Sequence, residues 1–293
     1  MLLQLIANGL ANASVTALVA TGFALIYNTT RIFHLAHGAV FVVAAYTYYA
    51  VSRNLHWPVI PAILCALAVG MLTGAATEFT TYSHLFRKEA TTTVNLLTSF
   101  GLYIVLINVV ALLFGNEVRV FPASDRSVMS LGPVLFAEIQ IEELVTAAIV
   151  LAALMFLLYR SNWGRLLRAV RDNPTLAISV GTDIRCMRYF AFVVGSGLVA
   201  VAAILSTVDV GIDPQRGLNA LLVAAVAVIV GGIGTFGGPI LGSVFVMLVQ
   251  SAAVWCLSPK WSDAFTFSIV ILFMLVRPAG LLSFRRRVEE SID

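Results

Sequence analysis

The sequence has 293 residues, 60% of them hydrophobic and only 11% charged, with a formal net charge of +3. A soluble domain of ordinary composition carries about 25% charged residues, and a larger core cannot make up the deficit because a folded surface needs polar cover. Composition therefore excludes an ordinary water-soluble enzyme and points to lipid as the solvent.

In chain order, the segments free of Asp, Glu, Lys and Arg are 1–30, 32–52, 54–77, 90–116, 144–159, 189–208, 217–259 and 264–276. Most reach the length of a membrane-crossing helix, the two shortest only with their polar flanks, and 217–259 has room for two helices around a Gly-rich break. At about 20 apolar residues per crossing, the expectation is an all-α, polytopic integral membrane protein of about eight to nine transmembrane helices, one domain over 1–293. The alternation of barrel strands is absent. The first helix has no basic leader and no small-residue cleavage site, which reads as a retained span. Cys65, Cys186 and Cys256 form no CxxC pair or ligand cluster and read as small packing residues.

Basic residues set the orientation. The segment 160–188 holds Arg160, Arg165, Arg168, Arg171, Arg185 and Arg188 against Asp172 and Asp183, and the C-terminus holds Arg277 and the run Arg285, Arg286, Arg287. Both belong in the cytoplasm by the positive-inside rule. The 117–143 loop and the 53–58 turn, with His56 and an interfacial Trp57, then fall outside. The N-terminus is outside if 28–38 is a true loop, and inside if it is a break within one passage.

Two interruptions sit in comparable places in the two halves, 31–38 (Arg-Ile-Phe-His-Leu-Ala-His-Gly) and 231–239 (Gly-Gly-Ile-Gly-Thr-Phe-Gly-Gly-Pro). Broken segments in corresponding halves point to an internal repeat and a transport pathway. The Gly-rich run lacks a Lys-Ser/Thr ending and a preceding soluble strand, so it is not a phosphate loop. It serves either close helix packing or irregular backbone beside a cavity.

In the 160–188 segment, Arg165, Arg168 and Arg171 drift slowly round one helical face, and Asn173-Pro174 stops that helix and can start another. This is either a helix pair that contacts a cytoplasmic partner or a loop whose arginines only enforce topology. His34 and His37 would share a face if helical, but no carboxylate or Cys accompanies them, so the metal expectation is none and a pathway-lining or helix-breaking role is preferred. Glu78 lies near a span end and is expected to reach the interface. Asp209, Asp213 and Arg216 read as an external polar cluster, solvated or docking a solute-binding protein.

The chain resembles, over about 5–284, the permease subunits of branched-chain amino acid ATP-binding-cassette importers, a group with related urea and amide importers. Asn8-Gly9 followed by Ala24-Leu25-Ile26-Tyr27 resembles the H-type subunit. Ala36-His37-Gly38 resembles the first broken-helix motif, with His34 just before it, and Leu97-Thr98-Ser99-Phe100-Gly101 the next. Gly164-Arg165, Arg168-Ala169, Ala177 and Gly181 resemble the cytoplasmic coupling loop, and the run from Gly231 to Gly242 the most distinctive signature. The resemblance implies a substrate pathway at His34, Ala36, His37, Gly38, Thr98, Ser99, Gly101, Gly231, Gly232, Gly234, Thr235, Gly237 and Gly238. It implies ATPase coupling through Gly164, Arg165, Arg168, Ala169, Arg171, Asn173, Pro174, Ala177 and Gly181.

The partners it implies are a second permease subunit, cytoplasmic ATP-binding subunits and an extracytoplasmic solute-binding protein, in a bacterial inner membrane with the C-terminus cytoplasmic. No cofactor and no nucleic acid are expected, and with no Walker motif the chain is expected not to be an enzyme. His34 stands where that family usually has Asn, Leu35 where it often has Phe, and Ala39 where an acidic residue is common, which opens the solute to amino acids other than branched-chain ones and to urea-like amides. A stand-alone channel or ion-coupled carrier is the competing reading, although the span cores are nearly free of the ionisable residues such carriers keep. An intramembrane enzyme would lack a nucleophile or second acid near His34, His37 or Glu78.

Overall fold

In the computed structural model the residues described are 2–121, 128–131, 134–256 and 259–282. The chain is a helical bundle: α1 (Leu2–Thr30), α2 (His37–Tyr49, ending in a π-turn Ala50–Asn54), α3 (Val59–Arg87, with a π-turn Glu78–Tyr82), α4 (Thr92–Phe114), α5 (Glu138–Arg160), α6 (Asn162–Asp172), α7 (Pro174–Ser179), α8 (Ile184–Val210), α9 (Arg216–Gly231), α10 (Gly238–Cys256) and α11 (Ser262–Val276). A short antiparallel hairpin, β1 (Val128–Leu131) with β2 (Val134–Ala137), precedes α5. Among the described residues six helices, α1, α3, α4, α5, α8 and α10, are long and apolar enough to cross a membrane, and α9 and α11 are shorter apolar helices. Helices are what lipid permits here, because each closes its own backbone hydrogen bonds. Leu112, Leu113, Leu275 and Val276 stay exposed on α4 and α11, as a lipid-facing surface would.

The expectation that 32–52 is one full span fails. Arg31 adopts positive φ (59°) and reverses the chain, residues 31–36 run back non-helically, and α2 starts only at His37, beside Val19, Gly22 and Phe23 of α1. The interruption is thus a true turn, and the two ends of α1 lie on opposite faces. Gln4 donates to the Leu135 carbonyl of the hairpin (2.8 Å), whereas Arg31 donates to the Arg171 carbonyl at the end of α6 (2.9 Å). Arg171 lies over Phe236 and Asn28 donates to the Thr235 carbonyl, so the Gly-rich elbow shares the basic face with α6. The segment after α11 does too, through Leu281 N–H to the Val230 carbonyl (2.8 Å). The Arg285–Arg287 run lies outside the described residues.

Contacts between the halves are reciprocal. α1 packs on α8 and α10 while α8 packs on α1 and α3, and α2 packs on α3 and α8 while α9 packs on α10 and α1. Two glycine pairs mark the crossings. A Cβ on Gly22 would stand 2.6 Å from the Gly195 carbonyl, and one on Gly38 2.6 Å from the Gly217 carbonyl, so neither backbone crossing has room for a side chain. The non-helical runs 31–36 and 211–215 precede the two short helices that meet at the second crossing. Gly231–Gly238 and the 53–58 turn each join a short helix to a long one.

Candidate functional site

Two polar features stand out within the helical bundle. The first fixes the broken segment from behind. Ser99 on α4 accepts a hydrogen bond from the Ala36 N–H (3.2 Å), and His34 Nδ1 meets the Tyr82 hydroxyl at 2.9 Å. Tyr82 also faces Ser99, and the His34 ring packs on Phe192 (5.0 Å) and His37 (5.8 Å). Against this cluster sits a bidentate ion pair, Arg188 Nε to Glu78 Oε1 at 2.7 Å and Nη2 to Oε2 at 3.1 Å, with side-chain exposures of 3% and 1%. The expectation that Glu78 reaches the interface is corrected. The π-turn at Glu78–Tyr82 carries both residues inward, and such turns inside α-helices recur at functional sites. Arg188, counted in the sequence only as a topological charge, lies over Phe86 (4.6 Å) and closes the pair.

The second feature is a groove of about 620 Å³ in the half of the bundle nearer the hairpin. Asn12 and Thr16 of α1, Asn219 of α9 and Gln250 of α10 line it, with Ser206 near the end of α8. Its charged residues are Glu143, Asp209, Asp213, Arg216 and Asp263. Asp209, Asp213 and Arg216, the polar cluster singled out from the sequence, thus form part of the groove wall. Asp213 accepts the N–H groups of Gln215 and Arg216 and pairs with the Arg216 guanidinium (3.3 Å). Nearer the basic face, Phe23, Tyr27, Phe33, Val228, Ile229 and Ile233 enclose only about 70 Å³ of apolar space. The same α1–α9 seam is thus wide and polar at one end and narrow and apolar at the other.

At the basic face, α6 and α7 form a capped elbow. The Ser161 hydroxyl accepts from Gly164 N–H (3.1 Å), Asn173 Oδ1 from Leu176 N–H (3.0 Å), and Pro174 occupies the first turn of α7. Leu167, Val170 and Ala177 are buried, while Leu176, Ile178 and Val180 project 57–72% exposed beside the exposed Arg165 and Ala169. The three arginines do different things. Arg168 donates to the Leu158 carbonyl and lies over Tyr159, Arg171 pairs with Asp172 (2.8 Å), and Arg165 contacts Asn162. Gly164 meets the α5 carbonyls closely, and Gly181 takes positive φ (85°) after α7.

The pathway expectations fall in three places. His34, Ala36, His37, Gly38 and Ser99 gather behind α2, Thr98 is half-buried, and Gly101 faces outward with open space around it. Gly231, Gly232, Gly234, Thr235, Gly237 and Gly238 form the basic-face elbow. There Thr235 Oγ1 accepts from Gly238 N–H (3.0 Å), and Gly232 at φ 112° lies against Leu282. None of them lines the polar groove. Apart from Asp209, Asp213 and Arg216 the groove residues were missed, yet Gln4, Asn8, Asn12 and Thr16 recur every fourth residue, a polar stripe down α1. Gln4 donates to Asn8 along that stripe (3.1 Å). No cluster of three or more metal-ligating side chains occurs among the described residues.

A bundle with several helices long and apolar enough to cross a membrane, packed around a polar groove, is the architecture of a multi-pass membrane protein. The family described as branched-chain amino acid transport system, permease component, matches residues 5–275, and the chain belongs to it. Similar proteins include the high-affinity branched-chain amino acid transport system permease protein BraD of Pseudomonas aeruginosa, 27% identical, with 98% of this chain and 97% of that one covered. LivH of Escherichia coli, of the same description, is also 27% identical, with the same coverage. The autoinducer 2 import system permease protein LsrC of Yersinia pseudotuberculosis is 29% identical over 96% of this chain and 78% of its own. Among solved structures, PsaBC from Streptococcus pneumoniae in complex with Fab shares the fold, with a TM-score of 0.51 at 14% identity, covering 93% of this chain and 91% of that one.

Proposed function

We propose that the chain is one of two permease subunits of an ATP-driven importer for a small polar solute, and that the polar groove is its half of the pathway. The groove carries this reading. Asn12, Thr16 and Asn219 lie on helices whose other faces are apolar, and Asn12 and Asn219 are exposed. Amide side chains at membrane depth are costly against lipid and are retained where they face protein or water. A second permease laid over the α1–α9 seam closes the groove into a water-filled vestibule, with the Phe23–Ile233 constriction as its inner seal.

On this reading the hairpin face is external and the α6–α7 face cytoplasmic, following the arginine excess. Six long helices and α11 cross outright, while α2 and α9 are half-helices that meet at Gly38 and Gly217. The reciprocal contacts of α1–α4 and α8–α11, with α1 and α8 running in opposite senses, support an inverted repeat. The exposed apolar surface of α7 beside Arg165 suits a cytoplasmic ATPase, whose closure would drive the switch between outward and inward states. Relatives named for branched-chain amino acids support an amino acid as solute, and the autoinducer 2 relative supports a wider family range.

The test is purification of the tagged chain from native membranes, followed by uptake in liposomes. An ATPase with a Walker motif and a second permease should co-purify, and uptake should need ATP. Solute uptake by the purified chain alone, without ATP, would overturn the reading in favour of a channel or carrier.

A further inference from the structure

Among the described helices long enough to cross a membrane, α4 is the least enclosed. Its inward face meets the broken segment and α2, where Ser99 accepts the Ala36 N–H (3.2 Å) and Tyr103 packs on Ala36 and Ala39. Nearer the start of α4 a cleft of about 290 Å³ opens, lined by Leu35 of the broken segment and by Thr93, Leu96, Leu97 and Phe100. Leu96, Leu97 and Phe100 are 41–70% exposed, so the cleft faces the surroundings of the bundle. Thr93 to Phe100 covers about 10 Å at 1.5 Å per residue, which lies within one leaflet of a hydrocarbon core about 30 Å thick.

One end of the cleft is charged. α3 ends at Arg87 and α4 begins at Thr92, so the exposed Arg87 and Lys88 stand in the turn that leads into the cleft, against one carboxylate, Glu89. Phe86, just before that turn, carries the Arg188 guanidinium over its ring (4.6 Å), and Arg188 lies in the first turns of α8, so the turn belongs to the basic face. Spread over about 10 Å, the volume of the cleft leaves a cross-section of about 30 Å². An α-helix about 10 Å across needs roughly 80 Å². The slot therefore suits an extended hydrocarbon chain and not a packed helix, and the cations at its mouth suit an anionic headgroup.

We propose that this cleft binds an anionic phospholipid from the leaflet on the basic face, its headgroup held by Arg87 and Lys88 and one acyl chain seated between Leu35 and α4. The chain braces the broken segment, because Leu35 stands between His34, joined to Tyr82, and Ala36, joined to Ser99. The inference rests on the bundle lying in a membrane and does not depend on the polar groove being the solute path.

The experiment uses the assembled transporter in phosphatidylcholine nanodiscs. These carry a trace of lipid with a photoactivatable group on one acyl chain, either phosphatidylglycerol or phosphatidylcholine, and the adducts are mapped by mass spectrometry. Labelling of Leu35 and 93–100 by the phosphatidylglycerol probe should exceed that by the phosphatidylcholine probe about fivefold or more, the preference that one basic residue close to an anionic lipid surface supplies. Leu112 and Leu113, exposed towards the other end of the same helix, should show no preference. Arg87→Gln with Lys88→Gln, both at exposed positions, should remove the excess at 93–100 and leave labelling by the phosphatidylcholine probe as it was.

Equal labelling of the cleft by the two probes, the same preference at Leu112 and Leu113, or an excess unmoved by the double substitution would overturn the proposal. Labelling at Leu112 and Leu113 with none at 93–100 would show the cleft covered by another subunit and would overturn it as well.

Discussion

Replacing Arg188 by Met removes the guanidinium that neutralises Glu78 and leaves that carboxylate inside the bundle. Both side chains are nearly inaccessible, at 3% and 1%, and two hydrogen bonds of 2.7 and 3.1 Å join them, so little water is at hand to take over. Breaking a buried pair from one side costs about 3–5 kcal/mol, because an uncompensated charge remains. At roughly 2–4 °C per kcal/mol for a chain approaching this size, a 4 kcal/mol loss lowers the melting temperature by about 8–16 °C. The double variant Arg188→Met with Glu78→Leu removes both charges and should recover most of that loss, since apolar replacement of a whole pair is often close to neutral. Both variants and the parent are compared by tryptophan or dye-reported melting in the same detergent. A single variant as stable as the parent, or a double variant no better than the single, would show that the pair does not hold α3 to α8.

Three further outcomes follow from the geometry. Gly38→Ala puts a methyl 2.6 Å from the Gly217 carbonyl and should cost about 1–3 kcal/mol in melting assays; Gly101→Ala, with nothing within 4 Å, should gain a few tenths to about 1 kcal/mol. Leu176→Asp with Ile178→Asp places two charges on an exposed apolar surface. The chain should stay folded by gel filtration while recovery of the ATPase with it falls, by about tenfold if about 1.4 kcal/mol of docking is lost. Asn12→Leu with Asn219→Leu should leave stability unchanged within about 0.5 kcal/mol, since both side chains are exposed, and should cut uptake sharply. Uptake equal to the parent would remove the groove from the pathway.

The bundle was legible because charge is so rare in it. Charge-free runs anticipate α1 and α4 to within a few residues and the apolar bodies of α5 and α8, whereas α3 continues past the end of its run through Glu78 to Arg87; the Gly-rich break between α9 and α10 is where 217–259 divides. What hydropathy could not show is depth. The run 32–52 has the composition of a full span, but the positive φ at Arg31 and the hydrogen bond from Ala36 N–H to Ser99 spend its first residues on a return path. Nor could a linear reading join Glu78 to Arg188, which are 110 positions apart and each close enough to a span end to pass for interfacial. Glu143 hid in the same way, near the start of α5, where carboxylates are ordinarily solvated, whereas Asp209 stood out in the sequence as part of a polar cluster but not as part of a groove wall. The broken-helix motifs pointed to the packed back of α2, whereas the groove was signalled by the plainer polar stripe along α1.

That stripe makes α1 the element linking both ends of the proposed cycle. Its first half carries Asn12 and Thr16 into the groove, its second half places Phe23 and Tyr27 at the constriction, and its end is tied to α6 by Arg31. A displacement of the α6–α7 pair therefore reaches the seal through one continuous helix, with Asn28 to Thr235 as a second tether on the α9–α10 elbow. Arg31→Gly isolates this link. Glycine accepts the positive φ at position 31, so the turn is kept and only the guanidinium is lost. If α1 transmits the movement, the assembled transporter should still bind its ATPases and hydrolyse ATP, while solute moved per ATP falls severalfold. Unchanged stoichiometry would mean that the signal leaves α6 by another route, of which α8 and its Arg188–Glu78 pair is the one the structure offers.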